Sequence, residues 1–378
     1  MSKVMTALIL QGGGALGAYQ AGVFEQLAAH KHMPDWVIGT SIGAINGAII
    51  AGNRPDDRLA KIKSFWHRMK PVNAWFDAWT PLAWSEMLNP FAPYLAEASK
   101  DTAVLSAMTH GIEGFFQPRF GATLDLAAPV AIDQAGFYDT APLRQTLLDH
   151  VDFEYLNARH VRLSVCAVDV ETAEMKVFDN EGPEPLGPEH IMASGALPPA
   201  FPPVVIDGRA YWDGGIYSNT PLEVLLSEAG NRDALVFMVD LWDPTEAKPK
   251  TMADVMDRLK SIQYAGRAST QIQIQSRIET LQQAIRTLAA ELPAGVAHDP
   301  QFAKLAALGC DRTVNVVQLI MKALPGDNQF KDVDFSPETV AARWAAGMAD
   351  AARALTHKNW LKPVPPHSGL VIHELEQI

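Results

Sequence analysis

Cysteine is nearly absent. Two cysteines, Cys166 and Cys310, in 378 residues are too few for a disulfide framework, and Cys166 lies inside an apolar run, where a buried free thiol is expected. Positive charge is short as well. There are 31 Lys and Arg against 43 Asp and Glu, a net charge of −12. No Lys/Arg cluster offsets it, which argues against a general nucleic-acid binder and against attraction to anionic membranes. Long apolar runs are missing too. The uncharged stretch 36–53 reaches only the lower bound for a transmembrane span, and its glycines, Ser, Thr and two Asn read instead as strand, turn and helix. Residues 1–10 carry one Lys before a short apolar run that ends in glycines, which makes a poor signal peptide. No internal repeat, low-complexity tract or Cys/His cluster with metal-ligand spacing is present, and the 11 histidines are scattered. No cofactor and no metal are expected. With 48% hydrophobic residues, the chain suits a large, well-buried core and a cytoplasmic location.

Gly39-Thr40-Ser41-Ile42-Gly43 follows the apolar run Trp36-Val37-Ile38 and precedes Ala44–Ile50. The order reads strand, sharp turn, helix. Glycines let the backbone turn without a Cβ clash and leave the serine exposed at a helix start, where unpaired N–H groups and the dipole favour developing negative charge. A second motif, Gln11-Gly12-Gly13-Gly14-Ala15-Leu16-Gly17, lies between the apolar run Ala7–Leu10 and a helical stretch 18–29. Its bare backbone N–H groups suit an anion or an oxyanion. The same glycines fit G-x-G-x-x-G, and Asp35 lies about twenty residues on. A ribose-binding acid should end the second strand, however, and Asp35 precedes it. Tyr211-Trp212-Asp213-Gly214-Gly215 is the third motif, an aspartate between a strand end and a tight turn; an Asx turn is its bland alternative.

Taken in order, the glycine loop, serine elbow and aspartate–glycine turn resemble the patatin-like phospholipase family. Ala193-Ser194-Gly195-Ala196-Leu197-Pro198, similar to that family's Ala-Ser-x-Ala-x-Pro segment, adds a fourth element. The resemblance covers roughly residues 5–240. It implies a three-layer α/β/α fold with a mainly parallel central sheet. It also implies a Ser41–Asp213 catalytic dyad, an oxyanion hole from Gly12, Gly13, Gly14 and Ile42, and supporting turns at Gly17, Gly39, Gly43, Gly214 and Gly215. The implied reaction is hydrolysis of lipid acyl esters through an acyl-enzyme, of phospholipase A or lysophospholipase type. One departure stands out. The family usually carries Arg or Lys where this chain has Leu16, which puts a phospholipid preference in doubt more than hydrolysis itself. A carboxylesterase or thioesterase acting on non-phospholipid acyl esters is the alternative, and a non-catalytic storage or scaffold protein a second one. A Ser-Asp-His triad would need a histidine after Asp213, and His298, His357, His367 and His373 are the candidates.

A hydrolase domain is expected over 5–245, with a mainly helical extension over 246–378 beginning near Lys248-Pro249-Lys250. Residues 71–125 carry Trp75, Phe76, Trp79, Trp84, Phe91, Tyr94, Phe115, Phe116 and Phe120 among prolines. They suit either a mobile cap in transient contact with a lipid surface or aromatics packed in the core. Strands are expected at 161–170, 175–178, 234–241 and 314–320. Residues 252–292 read as two helices broken near Gly266. Ile274, Ile278, Leu281, Ile285, Leu288 and Leu292 form a narrow apolar seam along the second, expected to pack on the hydrolase domain or on a second copy in a homo-oligomer, apart from the chemistry. Ser336-Pro337 opens a last helix.

Overall fold

The structure is a computed structural model. It describes residues 4–72, 102–119, 127–246, 248–293, 299–356, 360 and 368–375. Trp75, Phe76, Trp79, Trp84, Phe91, Tyr94 and Phe120 of the expected cap, and the triad candidates His298, His357 and His367, lie outside the described residues.

Nine strands form the central sheet: β1 (Met5–Leu10), β2 (Trp36–Thr40), β3 (Arg162–Asp169), β4 (Met175–Asp179), β5 (Val204–Ile206), β6 (Arg209–Asp213), β7 (Ala234–Asp240), β8 (Val314–Ile320) and β9 (Leu370–Glu374). The order is β9-β8-β7-β1-β2-β3-β6-β5, with β4 on the other edge of β3. From β9 to β3 every pairing is parallel. Such strands are covered on both faces, which is why they read as unbroken apolar runs. Leu8 and Leu10 point to one core and Ala7 and Ile9 to the other, as the two-residue period of a strand dictates.

Helices α1 (Ala18–Ala29), α2 (Ile42–Ala51) and α3 (Arg58–Arg68) cover the first face. Helix α5 (Pro337–Thr356) lies on α1 at very close range: a Cβ on Gly22 would meet the Trp344 carbonyl at 2.0 Å, and one on Gly347 would meet that of Tyr19 at 2.1 Å. Leu222, Leu225 and Ile272 cover the opposite face.

The expected boundary near Lys248 marks a change of sequence character rather than a break between cores. The region beyond it is mainly helical, yet β8 and β9 continue the same parallel sheet beyond β7. Residues 252–292 form one helix, α4 (Met252–Ala290), unbroken at Gly266. A single glycine costs a helix only about 1 kcal/mol relative to alanine, too little to end one this long. Of the two expected places for the apolar seam, the hydrolase domain and a second copy, the first does not hold: its large residues face outward. Helix α4 buries Ser261, Ala265, Ala268 and Ile272, whereas Ile274, Leu281 and Leu288 are exposed. Small residues let the helix approach the sheet layer closely, and the large apolar ones stand on its outer face.

Candidate active site

β3 acts as the ruler of the site. Its Cys166 pairs with Val177 of β4 on one edge and with Thr40 of β2 on the other, and the next residue, Ala167, pairs with Lys176 and Asp213. β6 therefore runs along the same edge of β3 as β2 and, being antiparallel, ends where β2 leaves the sheet. That places Asp213 beside Ser41, the first residue after β2.

Ser41 has φ +56° and ψ −124°, a conformation that L-residues rarely adopt and that costs of order 1–3 kcal/mol. The surroundings enforce it. The Ser41 carbonyl accepts the N–H groups of Ala44 and Ile45 at 2.9 and 3.2 Å, opening α2. The Ser41 N–H donates to Ser194 Oγ at 2.9 Å, and Ser194 in turn donates to the Cys166 carbonyl at 2.6 Å. Close packing is needed on both sides of the elbow: a Cβ on Gly39 would strike the Gly43 carbonyl, and one on Gly43 would strike that of Leu10 at 2.1 Å. Gly17 lies against Ile42, and Gly214 against the Cys166 carbonyl.

Asp213 is buried, 2% exposed. Its carboxylate faces the Ser41 hydroxyl and accepts the Gly215 N–H at 2.7 Å. Burial raises its pKa to about 7, with the hydrogen bonds from Ser41 and Gly215 pulling against the rise. A carboxylate in water at neutral pH holds its proton too weakly to be an effective base; burial moves this one toward the operating range of general-base catalysis.

The glycine loop faces both residues. Gly13, Gly14 and Ile42 line the Ser41 cavity, and their N–H groups have no hydrogen-bond acceptor among the described residues. Gly14, at φ +55°, takes the left-handed conformation that glycine adopts freely. Gly12 departs from the expected oxyanion set. Its N–H is spent on Asn219 Oδ1 at 3.1 Å, while Asn219 Nδ2 donates back to the Gly12 carbonyl at 3.1 Å. Trp242 Nε1 donates to the same carbonyl at 2.9 Å. Gly12 is thus an anchor of the loop rather than a donor to the cavity.

The cavity has a volume of about 320 Å³. Its far wall is a mutually packed aromatic group, Phe115, Phe116, Tyr138 and Phe201, with ring centroids 4.9–6.2 Å apart. Phe115 and Phe116 come from the expected cap region and are buried core residues. Its near wall comes from beyond residue 240: Trp242, Lys260, Tyr264, Asp332 and Phe335. The region read from sequence as remote from the chemistry therefore lines this cavity. Leu16 is fully buried, and the cation at the cavity is Lys260 of α4. No histidine lines the cavity among the described residues, and His373 lies on the edge strand β9, bonded to Asn315 at 3.1 Å.

Sequence reasoning did not assign Ser194, Asn219, Lys260 or Asp332. Ser194 stood within a quoted motif but without a role. The other three act through contacts with residues far away in the chain and leave no local signature.

A strained serine, an aspartate facing it and unpaired N–H groups, set at the strand ends of a largely parallel sheet, define an α/β fold of the serine-elbow class. The chain belongs to the patatin-like phospholipase family, whose model matches residues 8–226. A second family model, described as a patatin phospholipase, matches residues 262–367. Among curated proteins, the triacylglycerol lipase SDP1L of Arabidopsis thaliana is 32% identical over 65 residues, 17% of this chain and 8% of that protein. A patatin-like phospholipase domain-containing protein of Emericella nidulans is 33% identical over 81 residues, 21% of this chain and 11% of its own length. The chain thus spans only about a tenth of these relatives. Among solved structures, VipD from Legionella pneumophila aligns with a TM-score of 0.38 and 14% identity, covering 94% of this chain and 67% of that one. ExoU of Pseudomonas aeruginosa, solved with SpcU, aligns at 0.27 and 14%, covering 93% and 77%.

Proposed function

We propose that the protein hydrolyses lipid acyl esters, with Ser41 as nucleophile and Asp213 as general base. The observation that carries this reading is the strained Ser41 elbow facing a buried aspartate in an apolar cavity. Asp213 takes the hydroxyl proton as Ser41 Oγ attacks the ester carbonyl. The tetrahedral oxyanion is held by the N–H groups of Gly13, Gly14 and Ile42, and collapse releases the alcohol with the proton from Asp213. Asp213 then takes a proton from water, which attacks the acyl-enzyme, and returns that proton to Ser41 Oγ as the fatty acid leaves. The aromatic wall takes the acyl chain, whose burial is worth about 25 cal/mol per Å².

Leu16 and the apolar lining favour a second reading, a carboxylesterase or thioesterase acting on non-phospholipid esters. A storage or scaffold role leaves the strain at Ser41 and the three unpaired N–H groups without a purpose. A cytoplasmic location belongs to this reading and is supported by the two free, buried cysteines. The test is a panel of p-nitrophenyl esters, lysophospholipid, diacyl phospholipid and acyl-CoA offered to wild type and Ser41→Ala. The wild type should turn over at least one class and be labelled by a fluorophosphonate at Ser41. Turnover that survives the alanine substitution refutes the nucleophile.

A further inference from the structure

Besides Asp213, the charged residues lining the cavity among the described residues are Lys260 and Asp332. They form an ion pair: Lys260 Nζ lies 2.8 and 3.1 Å from the two Asp332 carboxylate oxygens and 2.9 Å from the Gln329 carbonyl. The pair is reachable from solvent, the two side chains being 36% and 19% exposed. It is also fixed in place. The Asp332 carbonyl accepts the Ala15 N–H at 2.9 Å and lies 2.3 Å from where a Cβ on Gly14 would be. The pair is therefore seated against the very loop that offers its N–H groups to the cavity. Behind it, the adjacent Lys331 is buried and bridges Glu246 at 3.3 Å and Asp257 at 3.1 Å, tying this segment to α4.

We propose that Lys260 and Asp332 form a headgroup subsite for a zwitterionic phosphoester–ammonium leaving group, of the phosphocholine or phosphoethanolamine kind. This rests on the Ser41 reading above. With the acyl chain along the aromatic wall, the alcohol side of the ester lies toward the glycine loop and its ion pair. A lone anion there gains Lys260 but meets Asp332, and a lone cation meets the reverse. A zwitterion laid antiparallel to the pair puts its phosphate on Lys260 and its ammonium on Asp332, and each charge gains an opposite neighbour without a net charge being left in the cavity. The subsite also supplies, from α4, the cation that Leu16 does not.

The experiment measures kcat/KM on phosphatidylcholine, phosphatidylglycerol and diacylglycerol of matched chains in the same mixed micelles, for wild type, Lys260→Gln and Asp332→Asn. Wild type should favour phosphatidylcholine over phosphatidylglycerol. Lys260→Gln should lower the phosphatidylcholine-to-diacylglycerol ratio about twofold to fivefold, the scale of a partly exposed charge pair. Asp332→Asn keeps the backbone carbonyl on Ala15 and frees Lys260, so phosphatidylglycerol should overtake phosphatidylcholine by a similar factor. Ratios that stay constant in both variants reduce the pair to a brace and overturn the proposal. Should either variant fail to fold, inhibition of the wild type decides. Soluble glycerophosphocholine should compete at concentrations where glycerol 3-phosphate and choline each do not, and equal inhibition by all three overturns the subsite. Failure of the underlying reading looks different: no ester is turned over, or turnover survives Ser41→Ala.

Discussion

Replacing Asp213 by Asn should make the protein more stable and nearly inactive, and the stability gain should depend on pH. Burial lifts the carboxyl from 3.8 to about 7, a shift of about 3 units. At 1.36 kcal/mol per unit, keeping Asp213 ionised in the folded state costs about 4 kcal/mol. The raised folded pKa fixes the sign. Between about pH 4 and pH 7 the unfolded chain has lost a proton that the native state still holds, so wild-type stability falls by about 1.4 kcal/mol per pH unit and levels off above 7. Asn at 213 has no such slope, and its amide oxygen can still accept the Gly215 N–H. Urea melts of both proteins from pH 4.5 to 8.5 should show the difference widening with pH by about 3 kcal/mol, with other titrating groups cancelling in the subtraction. Wild-type kcat/KM on a soluble ester should rise with unit slope through about pH 7 and then stay flat, because the base must be ionised to act. The Asn variant should lose about 10³-fold, within the range of general-base losses. A stability difference independent of pH, or activity that climbs as pH falls, refutes the assignment of Asp213 as a buried base.

Ser194→Ala leaves the Ser41 N–H and the Cys166 carbonyl without their hydroxyl partner. It should cost about 1–3 kcal/mol in a melt and lower kcat about tenfold with KM nearly unchanged, because the elbow loosens while the acyl wall stays; a rise in KM alone would count against this. Leu281→Glu combined with Leu288→Glu should change the melting free energy by no more than about 0.5 kcal/mol, since both side chains are already exposed on the outer face of α4. A loss of about 2 kcal/mol or more would show that face to be packed, and light scattering on the same pair of proteins reports whether a second copy uses it.

The sheet was legible because parallel strands are buried on both faces, and runs such as Ala234–Asp240 and Val314–Ile320 announce themselves. The elbow was legible because Gly39 and Gly43 flank the serine in one short run, and the contact that demands Gly39 is with Gly43 itself. β9 was not: Leu370–Glu374 is short and mixed, and it is a strand only because β8 offers it an edge. The apolar seam of α4 was read correctly as a stripe, with the hydrolase domain and a second copy both open as its partner, since periodicity reveals that a stripe exists without saying which side the sheet is on. The Asn219 clamp on Gly12 and the seat of Asp332 on Gly14 join residues hundreds of positions apart, and nothing local in either partner encodes them.

The contact between Asp332 and the glycine loop also has a consequence in time. As the chain leaves the ribosome, Ser41, the three glycines and Asp213 all emerge well before residue 332. Until it arrives, the Ala15 N–H has no carbonyl to receive it, and the cavity lacks the part of its wall that carries Asp332 and Phe335. A nascent chain, or one broken off by premature termination, therefore bears every motif of the site without the assembled site. Chains stalled near residue 300 should accordingly escape a fluorophosphonate that labels the finished protein, and labelling at equal rates would show that the last wall is dispensable.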